Sequence, residues 1–124
     1  MAVRGIRGAV TVPTNTKEAI TSATRNLLVV TVQENDVHPD DIAGILFTTT
    51  PDLNADFPAY AVRGLKWPTV PLLCAQEINV PGAMASVVRI LLLVNTDKLP
   101  QEIRHQYLGE AGRLRPDLTE GESA

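Results

Sequence analysis

The stretch Val87-Val88-Arg89-Ile90-Leu91-Leu92-Leu93-Val94 is apolar at odd and even positions alike, apart from one arginine. A strand shows its side chains to two faces in turn, so a strand of this kind needs cover on both sides. Val70 to Ala75 reads as a second central strand, and Ile42 to Thr48 as a mostly buried third. Val3 to Val12, rich in Val, Ile and Gly and closed by Pro13, predicts a fourth, and the alternation of Ile103 to Leu108 a fifth. Only two helical segments stand against them. In the first, Asn15 is the expected cap with Glu18 three positions on, and Ile20, Ala23, Leu27 and Val30 make one helical face reaching about Glu34. The second is short and starts at Pro58, a residue that loses no hydrogen bond at the first helical position.

The 124 residues therefore predict one α+β domain with α/β character, about five strands and two main helices. Two helices cannot bury both faces of such a sheet, so association through the uncovered face is expected. Gly109 to Ala124, with Pro116 and four acids, is expected to be a short helix or loop followed by a mobile tail; the domain is drawn at 1–118 and the tail at 119–124.

Eleven basic residues against fourteen acidic ones give a net charge of -3, which lacks the cationic field that nucleic-acid or membrane-surface binding needs. A single cysteine, Cys74, rules out an internal disulfide and any cage of three or four thiolates. No aliphatic run exceeds Ile90 to Val94 and no signal-peptide stretch opens the chain, so the expected location is the reducing cytoplasm. Eight of the eleven basic residues are arginine, the side chain suited to gripping carboxylates bidentately. That ratio fits a small anionic ligand, and it fits genome composition as well.

His38 and His105 stand in no metal-ligand spacing, and no phosphate-cradling glycine motif or nucleophile elbow occurs, so neither a metal nor a cofactor is expected. Gly5 and Gly8 lie inside a strand and read as sites of close packing. What remains is charge inside apolar strands, costly unless a partner or ligand compensates. Arg89 is the clearest case, either a strand arginine paired with a carboxylate or the cation of a site. Glu77 closes an apolar strand, and Arg7 shares parity with Val3 and Gly5. Cys74, with no activating histidine in its motif, reads as a small buried hydrophobe rather than a nucleophile. Tyr107 and Arg104 have opposite parity, so at most one faces a given pocket, and Arg63 reads as an exposed helix cation.

Five ordered pieces then carry a family likeness. They are Arg4-Gly5-Ile6-Arg7-Gly8-Ala9; Thr50-Pro51-Asp52-Leu53 with Phe57-Pro58-Ala59 and Arg63; Val70-Pro71-Leu72-Leu73-Cys74-Ala75-Gln76-Glu77; Arg89 with Asn95-Thr96-Asp97; and Ile103 to Leu108 with Leu114-Arg115-Pro116-Asp117-Leu118. Together, over Val3 to Leu118, the chain resembles the monofunctional, trimeric chorismate mutases of the AroH type. The resemblance implies a mixed five-stranded sheet with helices on one side, in the fold shared with small imine deaminases. It further implies a homotrimer packed through sheet faces, with an active site at each subunit interface, converting chorismate to prephenate without metal or cofactor. It implies Arg89 as the charge beside the ether oxygen, Glu77 as acceptor of the ring hydroxyl with Cys74 close by, and Arg7 and Tyr107 on a substrate carboxylate. Phe57 and Arg63 would enter from a neighbouring subunit, Ala59 and Leu73 would complete the substrate contacts, and Leu114 and Arg115 would close over the pocket. Tyr60, where relatives often carry a charge, and Gln106, where they carry an aliphatic residue, depart from the pattern. Two rivals differ in readout: a trimeric imine or enamine deaminase differs in substrate, and a small-anion sensor would bind without turnover.

Overall fold

The computed structural model describes residues 1–113. Leu114, Arg115 and the 119–124 segment therefore lie outside the described residues. The strands are β1 (Ala2–Thr11), β2 (Ile42–Thr49), β3 (Leu72–Gln76), β4 (Val87–Thr96) and β5 (Gln106–Leu108), and α1 spans Lys17–Glu34. They form one sheet in the order β3-β2-β4-β1-β5. β4 runs antiparallel to both β1 and β2, whereas the β1–β5 and β2–β3 pairs are parallel, so the sheet is mixed as expected. The strand that is apolar on both parities, β4, is the middle one.

The register sorts its residues into two faces. Ile6, Val10, Ile45, Phe47, Val88, Ile90, Leu92 and Val94 point to one side and join Ile20, Leu27 and Leu28 of α1 in the main core. Gly8 lets the helix settle there, since a Cβ on it would stand 3.1 Å from Leu27 Cδ1 and 2.9 Å from Ile90 Cγ1. The opposite face carries Val3, Arg7, Leu46, Thr48, Leu73, Arg89, Leu91 and Tyr107. Among them Val3, Leu46 and Leu73 are exposed. The helix α1 thus covers one side of the sheet; on the other, only the end around Ala9 and Val87 is covered, by Ala111 of the 3-10 turn Gly109–Arg113, and the rest of that apolar face is left open.

Four local expectations are corrected. Thr16, not Asn15, caps α1: its side chain accepts from the Ala19 N–H at 3.1 Å, which puts Glu18 one position short of a capping box. Asn15 instead pins a distant loop, its Oδ1 accepting from the Asn54 and Ala55 N–H groups at 3.0 Å each. The helix expected from Pro58 is a 3-10 turn, Pro58–Val62, because Arg63 is extended and Gly64 adopts a φ of +87°, leaving too few residues to propagate an α-helix. Finally, β5 begins only at Gln106, so the parity argument does not reach Arg104, whose backbone is bound on both sides by the buried Asn35 side chain. His105 likewise precedes the strand, and its Nδ1 accepts from the Arg7 N–H at 2.9 Å.

Candidate active site

The sheet register lines up one row across all five strands on the uncovered face: Ala75, Thr48, Arg89, Ala9 and Tyr107. Alanines and a threonine at the neighbouring positions leave room around the one large cation. The next row holds Leu73, Leu46, Leu91 and Arg7. Arg7 and Arg89 are therefore diagonal neighbours, about 7 Å apart at Cβ. They share a concave pocket of about 340 Å3 with Leu46, Thr48, Leu91 and Tyr107. Placing two guanidinium groups together in a half-buried pocket is unfavourable without anionic compensation.

Part of that compensation is internal. Arg89 Nε donates to Glu77 Oε2 at 2.9 Å, and Thr48 Oγ1 donates to the same oxygen at 2.8 Å. The Glu77 N–H donates to the Thr49 carbonyl, which carries the β2–β3 pairing one residue past the strand and fixes where the carboxylate emerges. Both side chains are shielded, Glu77 to 17% and Arg89 to 33% exposure, so their attraction is screened less than that of a surface pair. Glu77 Oε1, the terminal nitrogens of Arg89 and the guanidinium of Arg7 make no hydrogen bond among the described residues. The Tyr107 hydroxyl is buried and unpartnered in the same way. Such an orphaned donor beside two cations suits an acceptor of negative charge.

The remaining candidates lie elsewhere. β3 turns Cys74 towards the helix side, where it packs against the main core and shares a cavity of about 460 Å3 with Phe57. Burial pushes its thiol above the ordinary 9.0, and the N–H of Ala59 pulls it back only in part, so Cys74 is a neutral thiol at physiological pH. Ala59 and Arg63 line a third groove, of about 740 Å3, with Tyr60, Trp67 and Leu72. Leu73 stands exposed on the uncovered sheet face. One chain thus gathers Arg7, Glu77, Arg89 and Tyr107, while Phe57 with Cys74, and Ala59 with Arg63, occupy two other surfaces. Thr48 and His105 were not candidates; each acts on a candidate through a contact that only the strand order creates. Among the described residues no group of three His, Cys, Asp or Glu side chains is placed to hold a metal ion. No helix there is long and apolar enough to cross a membrane.

The family model of chorismate mutase type I matches residues 3–118. The chain belongs to the chorismate mutase type I family. A chorismate mutase AroH of Thermus thermophilus is 50% identical over 117 residues, covering 94% of this chain and 96% of the relative. One from Bacillus subtilis (strain 168) is 45% identical over 120 residues, covering 96% and 94%. In structure, the chorismate mutase from Clostridium thermocellum Cth-682 superimposes with a TM-score of 0.87 at 43% identity, covering 89% of this chain and 98% of that one. Membership of the chorismate mutase family makes the protein an isomerase. It also accounts for a pocket whose polar groups are fixed charges with no activated nucleophile among them.

Proposed function

We propose that the protein converts chorismate to prephenate at a site built between copies of the chain, by selecting a reactive conformer and stabilising charge on the ether oxygen. In this rearrangement the ether C–O bond breaks as a C–C bond forms, through a cyclic shift of electron pairs within one molecule. No proton is transferred, and no nucleophile, cofactor or metal takes part. What the protein adds is geometry and field. Holding the side chain over the ring removes conformational freedom ahead of the barrier. A fixed cation beside the ether oxygen stabilises charge that develops only in the transition state.

Each role has a group of suitable chemistry. Arg89, with its Nε held by Glu77, offers its terminal N–H groups to the ether oxygen. Glu77 keeps Oε1 free to accept from the ring hydroxyl. Arg7 and the Tyr107 hydroxyl take a substrate carboxylate. Phe57, Ala59 and Arg63 enter from a neighbouring copy, Cys74 belongs with Phe57 as a packing group, and Leu73 adds apolar wall. A homotrimer packed through the sheet face with Leu46 and Leu73 completes each site, and the lone, neutral Cys74 suits the cytoplasm.

The observation that carries this reading is the Arg89–Glu77 pair, shielded on the uncovered sheet face beside Arg7 and the unpartnered Tyr107 hydroxyl. The test is to mix purified protein with chorismate alone and follow its ultraviolet absorbance, identifying prephenate by acid conversion to phenylpyruvate. Rapid loss of chorismate with prephenate appearing is expected; a rate equal to the spontaneous one contradicts the proposal.

A further inference from the structure

Phe57 and Arg63 are the two extended caps of the 3-10 turn Pro58–Val62, and Tyr60 stands at its middle, three residues from each. The Arg63 guanidinium lies over the Tyr60 ring, 4.0 Å from its centroid. Phe57 meets the same ring edge-on, at 5.5 Å between centroids and 67° between planes. The backbone beneath is tied down from α1, where Arg25 Nε donates to the Ala61 carbonyl at 3.0 Å and its terminal nitrogen to the Arg63 carbonyl at 3.1 Å. Arg63 itself has no carboxylate partner among the described residues; Arg25 fixes where its backbone sits, and the Tyr60 ring lies under its guanidinium.

We propose that Tyr60 is a positioning residue that holds the Arg63 guanidinium ready for a substrate carboxylate. Stacking occupies the face of the planar fork and leaves its edge, with the N–H groups, free for a carboxylate in the same plane. A flexible arginine would otherwise lose its rotamer freedom on binding, and the stack takes part of that loss in advance. The T-shaped contact with Phe57 braces the same ring and couples the aromatic wall to the cation. The inference rests on the reading of Arg63 as a substrate contact.

The experiment compares the steady-state kinetics of Tyr60→Phe, Tyr60→Leu, Arg63→Met and the Tyr60→Leu/Arg63→Met double variant. It also records the NMR shifts of the Arg63 side-chain protons in the first two. Tyr60→Leu is expected to raise KM about two- to fivefold, with a smaller change in kcat, and to remove the ring-current shift of the Arg63 protons. Tyr60→Phe, which keeps the ring, restores both. In the Arg63→Met background Tyr60→Leu adds nothing. A KM unmoved by Tyr60→Leu while Arg63→Met raises it overturns the role of Tyr60 alone. So does an equal penalty with and without Arg63. An Arg63→Met protein with unchanged KM overturns the reading of Arg63, and this inference with it.

Discussion

Arg89 is worth most where its charge is fixed and water is scarce, and the contact with Glu77 does both: it orients the guanidinium and keeps its outer edge free. Replacing Arg89 with citrulline, a neutral isostere, is expected to slow turnover by roughly a hundredfold or more, about 3 kcal/mol, without unfolding the protein. Near-normal turnover in steady-state assays would show that charge is not the source of acceleration. Cys74→Ser, by contrast, is expected to stay within about tenfold of wild-type turnover, since the thiol is neutral and serves as packing. Complete loss would point to a covalent role. The sequence marked Arg89 because an unpaired charge in an apolar strand is costly, and that much was legible. Its partner was not, because Glu77 lies past the edge strand β3 and meets Arg89 directly across β2, where Thr48 donates to the same oxygen. Nothing in local sequence tells which strands are neighbours.

Among the elements, the strands were legible wherever both parities are apolar or alternate; Val70 to Ala75, expected as a central strand, is instead the edge strand β3, and the other misreadings fall where a turn competes. Ile103 is buried in the main core, as a strand residue would be, yet it caps the 3-10 turn Pro100–Glu102. Burial rather than strand geometry produced its apolar signal. The Pro58 segment carries helix-compatible residues but stops after one short turn at Gly64. Two clasps then hold the loop from Thr50 to Phe57 that presents this turn. Asn15 binds one end of it, and at the other Asp52 accepts from the Ser86 N–H at 3.2 Å and the Ser86 hydroxyl at 2.8 Å, next to the start of β4. Slight burial works against the Asp52 anion, but hydrogen bonds from Thr50 and Ser86 side chains and from the backbone more than offset it, holding the carboxyl below its ordinary 3.8. A depressed folded-state value means the clasp contributes stability above the unfolded-state value and loses it as the pH falls through the lower one. The contribution is modest for so exposed a group and weakens with salt. Thermal midpoints of wild type and Asp52→Asn are therefore expected to differ at neutral pH and to converge in acid, once the pH has fallen below the ordinary 3.8 and through the lowered folded-state value. A difference that stays constant down to that pH would remove the ionised clasp from the account.

For the whole molecule, the shortage of helices foretold the decisive feature, a sheet covered on one side with Val3, Leu46 and Leu73 exposed on the other. Burying such a face removes apolar surface from water at roughly 25 cal/mol per Å2, which favours self-association. The proposed assembly also has a chemical purpose, since one chain keeps Arg89, Glu77, Arg7 and Tyr107 apart from Phe57 and Arg63. The resemblance already set Phe57 and Arg63 apart from Arg89, but the placing of Cys74 with Phe57 was not readable from the sequence, where Cys74 stands three positions from Glu77. Strand parity sends Cys74 to the opposite side of the sheet from Arg89, and only the register reveals it. The most direct test is complementation between copies. Arg89→Ala and Arg63→Ala proteins, each impaired alone, are unfolded together at equal concentration, refolded and assayed with chorismate. If every site draws Arg89 from one copy and Arg63 from its neighbour, random mixing rebuilds about one site in four with both residues intact, and activity rises to about a quarter of wild type. Activity that stays at the average of the two separate variants would mean that both residues serve one site from the same chain, and the shared-site account would be wrong.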